Sequence, residues 1–187
     1  MAELVEQIEE DDLVLRARTQ AEALGRLYEL YYDRIFRFCV FRLFDKEIAE
    51  DVASTIFLEV ARKIRGFEGR TERDFANWLY AIAANQANAT IRKTSRRKKL
   101  LAQAAGAMRT ANGTDDSPEP DWPSLYAAIL RLKPKHQSLV TLRFFENLPH
   151  EQIAQILNVR QATVRVTLHR ILGKLRKHLQ IVTDGEV

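Results

Sequence analysis

The most specific arrangement of chemistry-bearing residues lies between Leu148 and Arg170. Pro149 suits the first turn of a short helix with Ile153, Ile156 and Leu157 on one side, and Asn158 tolerates the left-handed conformation that ends it. A second helix is entered through Arg160 to Thr163. Ala154 is small where two such helices would cross, and Ile153, Leu157, Val159 and Val164 are expected to fill their shared core. The second helix is left a polar face of Gln161, Arg165, His169 and Arg170, residue types that bond base edges or phosphates in a major groove. These are the parts of a helix-turn-helix, although a helix pair of this length also occurs in plain bundles.

Charge tips the balance towards nucleic acid. Residues 122–182 carry ten bases and two acids, and residues 91–100 hold six bases, among them Arg92, Lys93, Arg96 and Arg97, with no acid. Between them residues 101–121 have a net charge of −3, and residues 1–15 hold six acids and no base. Two basic regions flanking an acidic hinge suit a protein that grips a long polyanion at two places, because phosphate neutralisation drives nucleic-acid affinity. The overall net charge of +4 conceals this pattern.

Other chemistries find little support. His150-Glu151 opens like a zinc-protease motif, but the second His would have to be residue 154, which is Ala. There is no Gly-rich phosphate loop and no Cys pair for a metal, and the four histidines are scattered. An enzyme is therefore not expected, nor a metal or cofactor. A lone cysteine, Cys39, cannot form an internal disulfide, and no charged segment followed by an apolar one opens the sequence. No stretch approaches the roughly 18 uninterrupted apolar residues of a membrane span. The expected protein is cytoplasmic.

The elements that must position these residues follow from periodicity. Leu24, Leu27, Tyr28, Tyr31, Ile35 and Phe38 recur at three- and four-residue steps, predicting a long amphipathic helix to about Phe44. Asp45 can cap the next, with Glu47 in its positive first turn and Ile48, Val52, Ile56, Val60 and Ile64 along one side. Gly66 and Gly69 stop it. Thr71 to Asp74 is a capping-box-like start for a helix lined by Phe75, Trp78, Leu79 and Ile82, which runs on into the basic cluster. At that spacing Trp78 reads as core. Residues 103–121 mix Gly, Asn, Ser, Pro and acids without apolar periodicity, a linker composition. Beyond it, Leu125, Ile129, Leu130 and Leu132 line one helix until Pro134, a second is expected over about 135–146, and Val164, Leu168, Ile171, Leu172, Leu175 and Leu179 form the clearest apolar stripe. No segment alternates with period two. The expected fold is all-α: two small helical domains, 10–100 and 122–182, joined by a flexible acidic linker, 101–121, the second being the helix-turn-helix domain.

Three segments together carry a resemblance: Ile153 to Arg170, with I-A-x-x-L-x-V-x-x-x-T-V-R-x-x-x-x-R; Asp51-Val-Ala-Ser-Thr-Ile-Phe57; and Phe75-Ala-Asn-Trp-Leu-Tyr-Ala-Ile-Ala-Ala-Asn85. Over about residues 13–180, in the right order, the chain resembles the bacterial extracytoplasmic-function sigma factors. The resemblance implies an initiation factor that binds core RNA polymerase and directs it to promoters, its first domain reading and melting the minus-ten element and its second reading the minus-thirty-five element. It places Asp51, Ser54, Thr55 and Phe57 on the helix that meets core polymerase. Ser54 and Thr55 stand where the family usually has Gln and Glu, which changes two polar contacts. It makes the loop from Arg65 to Phe75 the one that captures a flipped base, with Phe67 for stacking, Tyr80 and Asn85 bordering the pocket, and Arg92, Lys93, Arg96 and Arg97 on upstream phosphates. In the second domain it implies DNA contacts from Arg160, Gln161, Thr163, Arg165, Val166, His169 and Arg170. Val166-Thr167 replaces a frequent Ser-Arg pair, so one cation is lost while Val166 can meet a thymine methyl group. The implied partners are core RNA polymerase, promoter DNA and an anti-sigma factor, with a monomer when free. Two rival readings are a helix-turn-helix regulator that does not act as a sigma factor and a helical interaction module without DNA; the second leaves the basic face of residues 122–182 unexplained.

Overall fold

The structure, a computed structural model, describes residues 11–104 and 122–183, with side chains for 11–94 and 125–177. Every regular element among them is helical. A helical stretch over 11–16, α1, precedes α2 (Ala21–Leu43), α3 (Lys46–Lys63) and α4 (Glu72–Ala104); α5 (Trp122–Leu130), α6 (Pro134–Val140), α7 (His150–Leu157) and α8 (Gln161–Thr183) follow.

In α2 the buried positions Ala23, Leu27, Tyr31, Ile35, Phe38 and Cys39 follow the predicted three- and four-residue spacing. Phe44 ends the helix at φ 54°, its N–H bonded to the Val40 carbonyl. Asp45 then caps α3 through a bond from the Ile48 N–H, 3.0 Å long. Leu27, Ile35, Phe38, Ile56, Phe75 and Leu79 form the core between α2, α3 and α4. Cys39 lies within it, and burial pushes its thiol up to about 12.

The start of α4 is locked by reciprocal bonds: Thr71 Oγ1 accepts from the Asp74 N–H, and the Asp74 carboxylate accepts from the N–H groups of Thr71 and Arg70. The bond from the Arg70 N–H, followed by the contacts of Thr71, holds the Asp74 carboxyl below its usual range. In α5–α8, Leu142, Ile153, Val164, Leu168 and Ile171 make the core. The helix expected over 135–146 differs at its end. After Val140 the chain widens into a π-helical turn, Thr141–Phe145, in which the Glu146 N–H reaches back to the Thr141 carbonyl. Asn147, at φ 53°, then reverses the chain before α7. Leu130, expected on the apolar side of α5, is exposed.

Candidate nucleic-acid interface

Helices α7 and α8 meet at the tight turn that the sequence predicts. Asn158 sits at φ 51°, and the Val159 N–H returns to the Ala154 carbonyl at 2.9 Å. Ile153, Ala154 and Val164 are buried between the helices. Val159 is not: it is 41% exposed, because the left-handed turn carries it out of the angle and into the cleft facing α4. Arg160, Gln161, Thr163, Arg165, Val166, His169 and Arg170 are all exposed. The result is one polar, basic face around an apolar spot, Val166, which is half exposed.

The loop between α3 and α4 forms a second site. Phe67 stacks on Trp78 with ring centroids 4.8 Å apart and meets Phe75 edge-on at 6.2 Å. An open groove of about 660 Å³ is lined by Arg62, Lys63, Gly66, Phe67, Glu68, Gly69 and Trp78. Trp78 is half-buried: it packs against the core as its spacing predicts, its ring centroid 6.0 Å from that of Phe75, and its outer side walls the groove. Arg65 is exposed beside this groove. Asn85 is exposed further along α4 and lines a neighbouring hollow with Trp78, Glu59 and Lys63. Arg92 and Lys93 are exposed on the same helix; the side chains of Arg96 and Arg97 lie outside the described residues.

Tyr80 is fully buried, and its hydroxyl donates to Glu146 at 2.5 Å. Burial first, and the Glu146 carboxylate second, push its ionisation upwards. It thus faces the second group of helices, not solvent.

On α3, Asp51, Ser54 and Thr55 share an exposed face, with the Thr55 hydroxyl donating back to the Asp51 carbonyl at 2.9 Å. Phe57 is buried, covered by the rings of Tyr28 at 4.9 Å and Tyr32 at 6.0 Å. The accessible apolar groups of this face are Tyr28, 44% exposed, and Leu58. Sequence reading placed Tyr28 in the core stripe; its position next to Leu27 already puts it at the stripe's edge.

The two groups of helices touch through polar side chains and aromatic rings. Arg42, only 1% exposed, donates to Gln137 Oε1 at 2.6 Å, to Asn88 Oδ1 at 2.8 Å and to the Pro134 carbonyl at 3.1 Å. All three acceptors are neutral, and burial brings its guanidinium down to about 10. Asn77 bonds Gln155 at 2.8 Å, and Phe41 meets Phe145 with centroids 4.1 Å apart. Beside these contacts, α4 and α6–α8 enclose a cleft of about 470 Å³ that includes Asn85, His136 and Thr163. No group of residues suited to a metal, and no helix long and apolar enough to cross a membrane, is found among the described residues.

The family model for Sigma-70 region 2 matches residues 27–97, and that for Sigma-70 region 4 matches residues 123–175. The ECF RNA polymerase sigma factor SigW of Bacillus subtilis is 30% identical over 172 residues, an alignment covering 85% of this chain and 90% of that protein. The chain belongs to the extracytoplasmic-function RNA polymerase sigma factors. The ECF RNA polymerase sigma factor BldN of Streptomyces coelicolor is 34% identical over 175 residues, which cover 90% of this sigma factor and 65% of the relative's length. The sigma factor RpoE of Bartonella quintana, solved in complex with the anti-sigma factor NepR, shares the fold with a TM-score of 0.62 at 17% identity, covering 84% of this chain and 96% of that one. In this sigma factor the region 2 match contains the α3 face and the Phe67 groove, and the region 4 match contains most of the basic face of α7 and α8.

Proposed function

We propose that this alternative sigma factor directs core RNA polymerase to promoters by reading them at two separate places. The observation that carries the reading is the pairing, in one chain, of an aromatic-walled groove at Phe67 and Trp78 with a basic helix face at Arg160 to Arg170. An unstacked base can be held against aromatic rings and by edge hydrogen bonds, whereas a duplex is read by polar side chains on a helix in the major groove. Phe67 and Asn85 serve the minus-ten element, with Arg65, Arg92 and Lys93 on phosphates, and Arg96 and Arg97 continue that role on sequence grounds. Arg165 and its exposed neighbours serve the minus-thirty-five element. Asp51, Ser54 and Thr55 face core polymerase, with Phe57 acting from beneath by supporting Tyr28.

Positions 25 base pairs apart are separated by roughly 85 Å along B-DNA. Helix groups in direct contact cannot reach both elements on one duplex, so promoter engagement separates Arg42 from Gln137 and frees the Tyr80 hydroxyl from Glu146. An anti-sigma factor is the natural antagonist of such a chain, since a protein that holds the two groups together stops the separation. Run-off transcription with purified core polymerase on a library of genomic fragments tests the function. Discrete starts sharing two upstream elements are expected; no initiation, with retained duplex binding by the protein alone, would favour the regulator reading.

A further inference from the structure

Arg18 lies outside the region 2 match, which begins at residue 27. Its side chain nevertheless reaches the loop between α3 and α4. Nη2 donates to the Gly69 carbonyl, and the guanidinium carbon stands 5.8 Å from the centroid of the Phe67 ring. Both contacts fall on residues that shape the groove. Phe67 is the stacking ring, and Gly69 has no room for a side chain, since a Cβ there would stand 2.3 Å from Phe67 Cζ and 2.6 Å from Asp74 Cβ. The same segment ties the far end of the loop, where the Asp11 carboxylate accepts from the Glu72 N–H at 2.6 Å.

The loop's other anchors sit at its two ends. The Phe67 N–H bonds the Ile64 carbonyl at 3.1 Å, and Asp74 receives the Arg70 and Thr71 N–H groups. Between those anchors, Arg18 supplies a charge-assisted bond to the carbonyl and a cation near an aromatic ring, two attractions that fix the same short stretch of backbone. The arrangement leaves the Arg18 Nε buried without a partner. An unpaired buried donor is a cost to folding, so the side chain is placed for the loop's geometry more than for the fold's stability.

We propose that Arg18 is a positioning residue for base capture, holding Phe67 and Gly69 in the geometry that receives an unstacked base. The inference rests on the reading of this loop as the minus-ten capture site, and it assigns the segment before residue 27 a part in promoter opening.

The test uses holoenzyme, reconstituted from core polymerase and full-length chain, on the promoter fragment giving the strongest run-off start. 2-Aminopurine is placed in turn at each non-template position of the minus-ten element, and its fluorescence reports unstacking. Arg18→Ala is expected to lower the yield of captured base roughly tenfold, the scale of one charge-assisted hydrogen bond, with unchanged melting temperature and core affinity. Arg18→Lys, which keeps a cation and one donor, should restore part of it. Phe67→Ala is the reference. If Phe67→Ala abolishes capture while Arg18→Ala captures like the natural protein, Arg18 does not position the loop. If neither variant changes capture, the loop is not the reader and the proposal falls with that reading. A loss that tracks a lower melting temperature and weaker core binding, without rescue by Lys, would make Arg18 a purely structural residue and overturn it as well.

Discussion

Arg42 and Gln137, 95 positions apart, are joined by a 2.6 Å hydrogen bond that buries a guanidinium without a carboxylate partner. Taking a cation out of water among neutral acceptors is expensive, and the packing of Phe41 on Phe145 must offset it. Such a contact is closed but weakly held, which suits the opening proposed for promoter engagement.

Removing the acceptor should therefore shift the balance. Gln137→Ala leaves the buried Arg42 one partner short, and a loss of about 2 kcal/mol corresponds to roughly a thirtyfold change in the ratio of closed to open molecules. Energy transfer between dyes on Glu50→Cys and Arg176→Cys reads this out, with Cys39 too buried to be labelled. An unchanged transfer distribution would contradict it.

Arg165 is exposed in the centre of the basic α8 face. Arg165→Ala should weaken duplex binding at the minus-thirty-five element by roughly 1–3 kcal/mol and leave core polymerase binding intact. Titration of the promoter duplex at fixed salt decides the matter, and equal affinities would remove Arg165 from the contact set.

Asp74 gives a pH dependence with a definite sign. Its carboxyl titrates below 3.8 because backbone N–H groups of Arg70 and Thr71 and the Thr71 hydroxyl favour its charged form. A depressed acid contributes stability that is fully present above its unfolded value and is lost as pH falls through the folded one. Asp74→Ala should lower stability at pH 7, and by less at pH 3. Chemical denaturation at the two pH values measures the difference.

His136 gives a dependence of the same sign at higher pH. Burial, then Lys174 and Lys133, depress its pKa below 6.5. For a base with a lowered folded pKa, stability is unaffected well above 6.5 and declines as pH falls from there to the folded value. Replacing His136 with Gln should flatten the stability profile between pH 7 and pH 5. NMR titration of the ring, with a midpoint at or above 6.5, would refute the argument.

The helical periodicities were legible because each buried stripe is a local property. Leu27, Ile35 and Phe38, or Val164, Leu168 and Ile171, announce their face through spacing alone. Exposed polar residues of the recognition face were legible for the same reason. What spacing cannot carry is the identity of a partner far along the chain. Phe57 looked available until Tyr28 and Tyr32 covered it, Tyr80 until Glu146 met it, and nothing in the spacing of Trp78 announced that the loop would lay Phe67 on its outer side. Arg42 gave no signal of burial, since a basic residue in the last turn of a helix ordinarily stays in water and favours the negative helix end.

Helix α4 runs unbroken from Glu72 to Ala104, and its regular rise turns sequence distance into physical distance. From Trp78 in the groove wall to Arg92 on the same helix is 14 residues, or roughly 21 Å at 1.5 Å per residue. That span equals about six base pairs of duplex. On the proposed reading the helix acts as a ruler: with Arg92 on a phosphate and a base against Trp78, strand separation begins within about six pairs of the last gripped backbone position. On that reading, inserting or deleting residues between the two would move the boundary of the bubble, so the length of the helix joins its side chains in deciding where DNA opens.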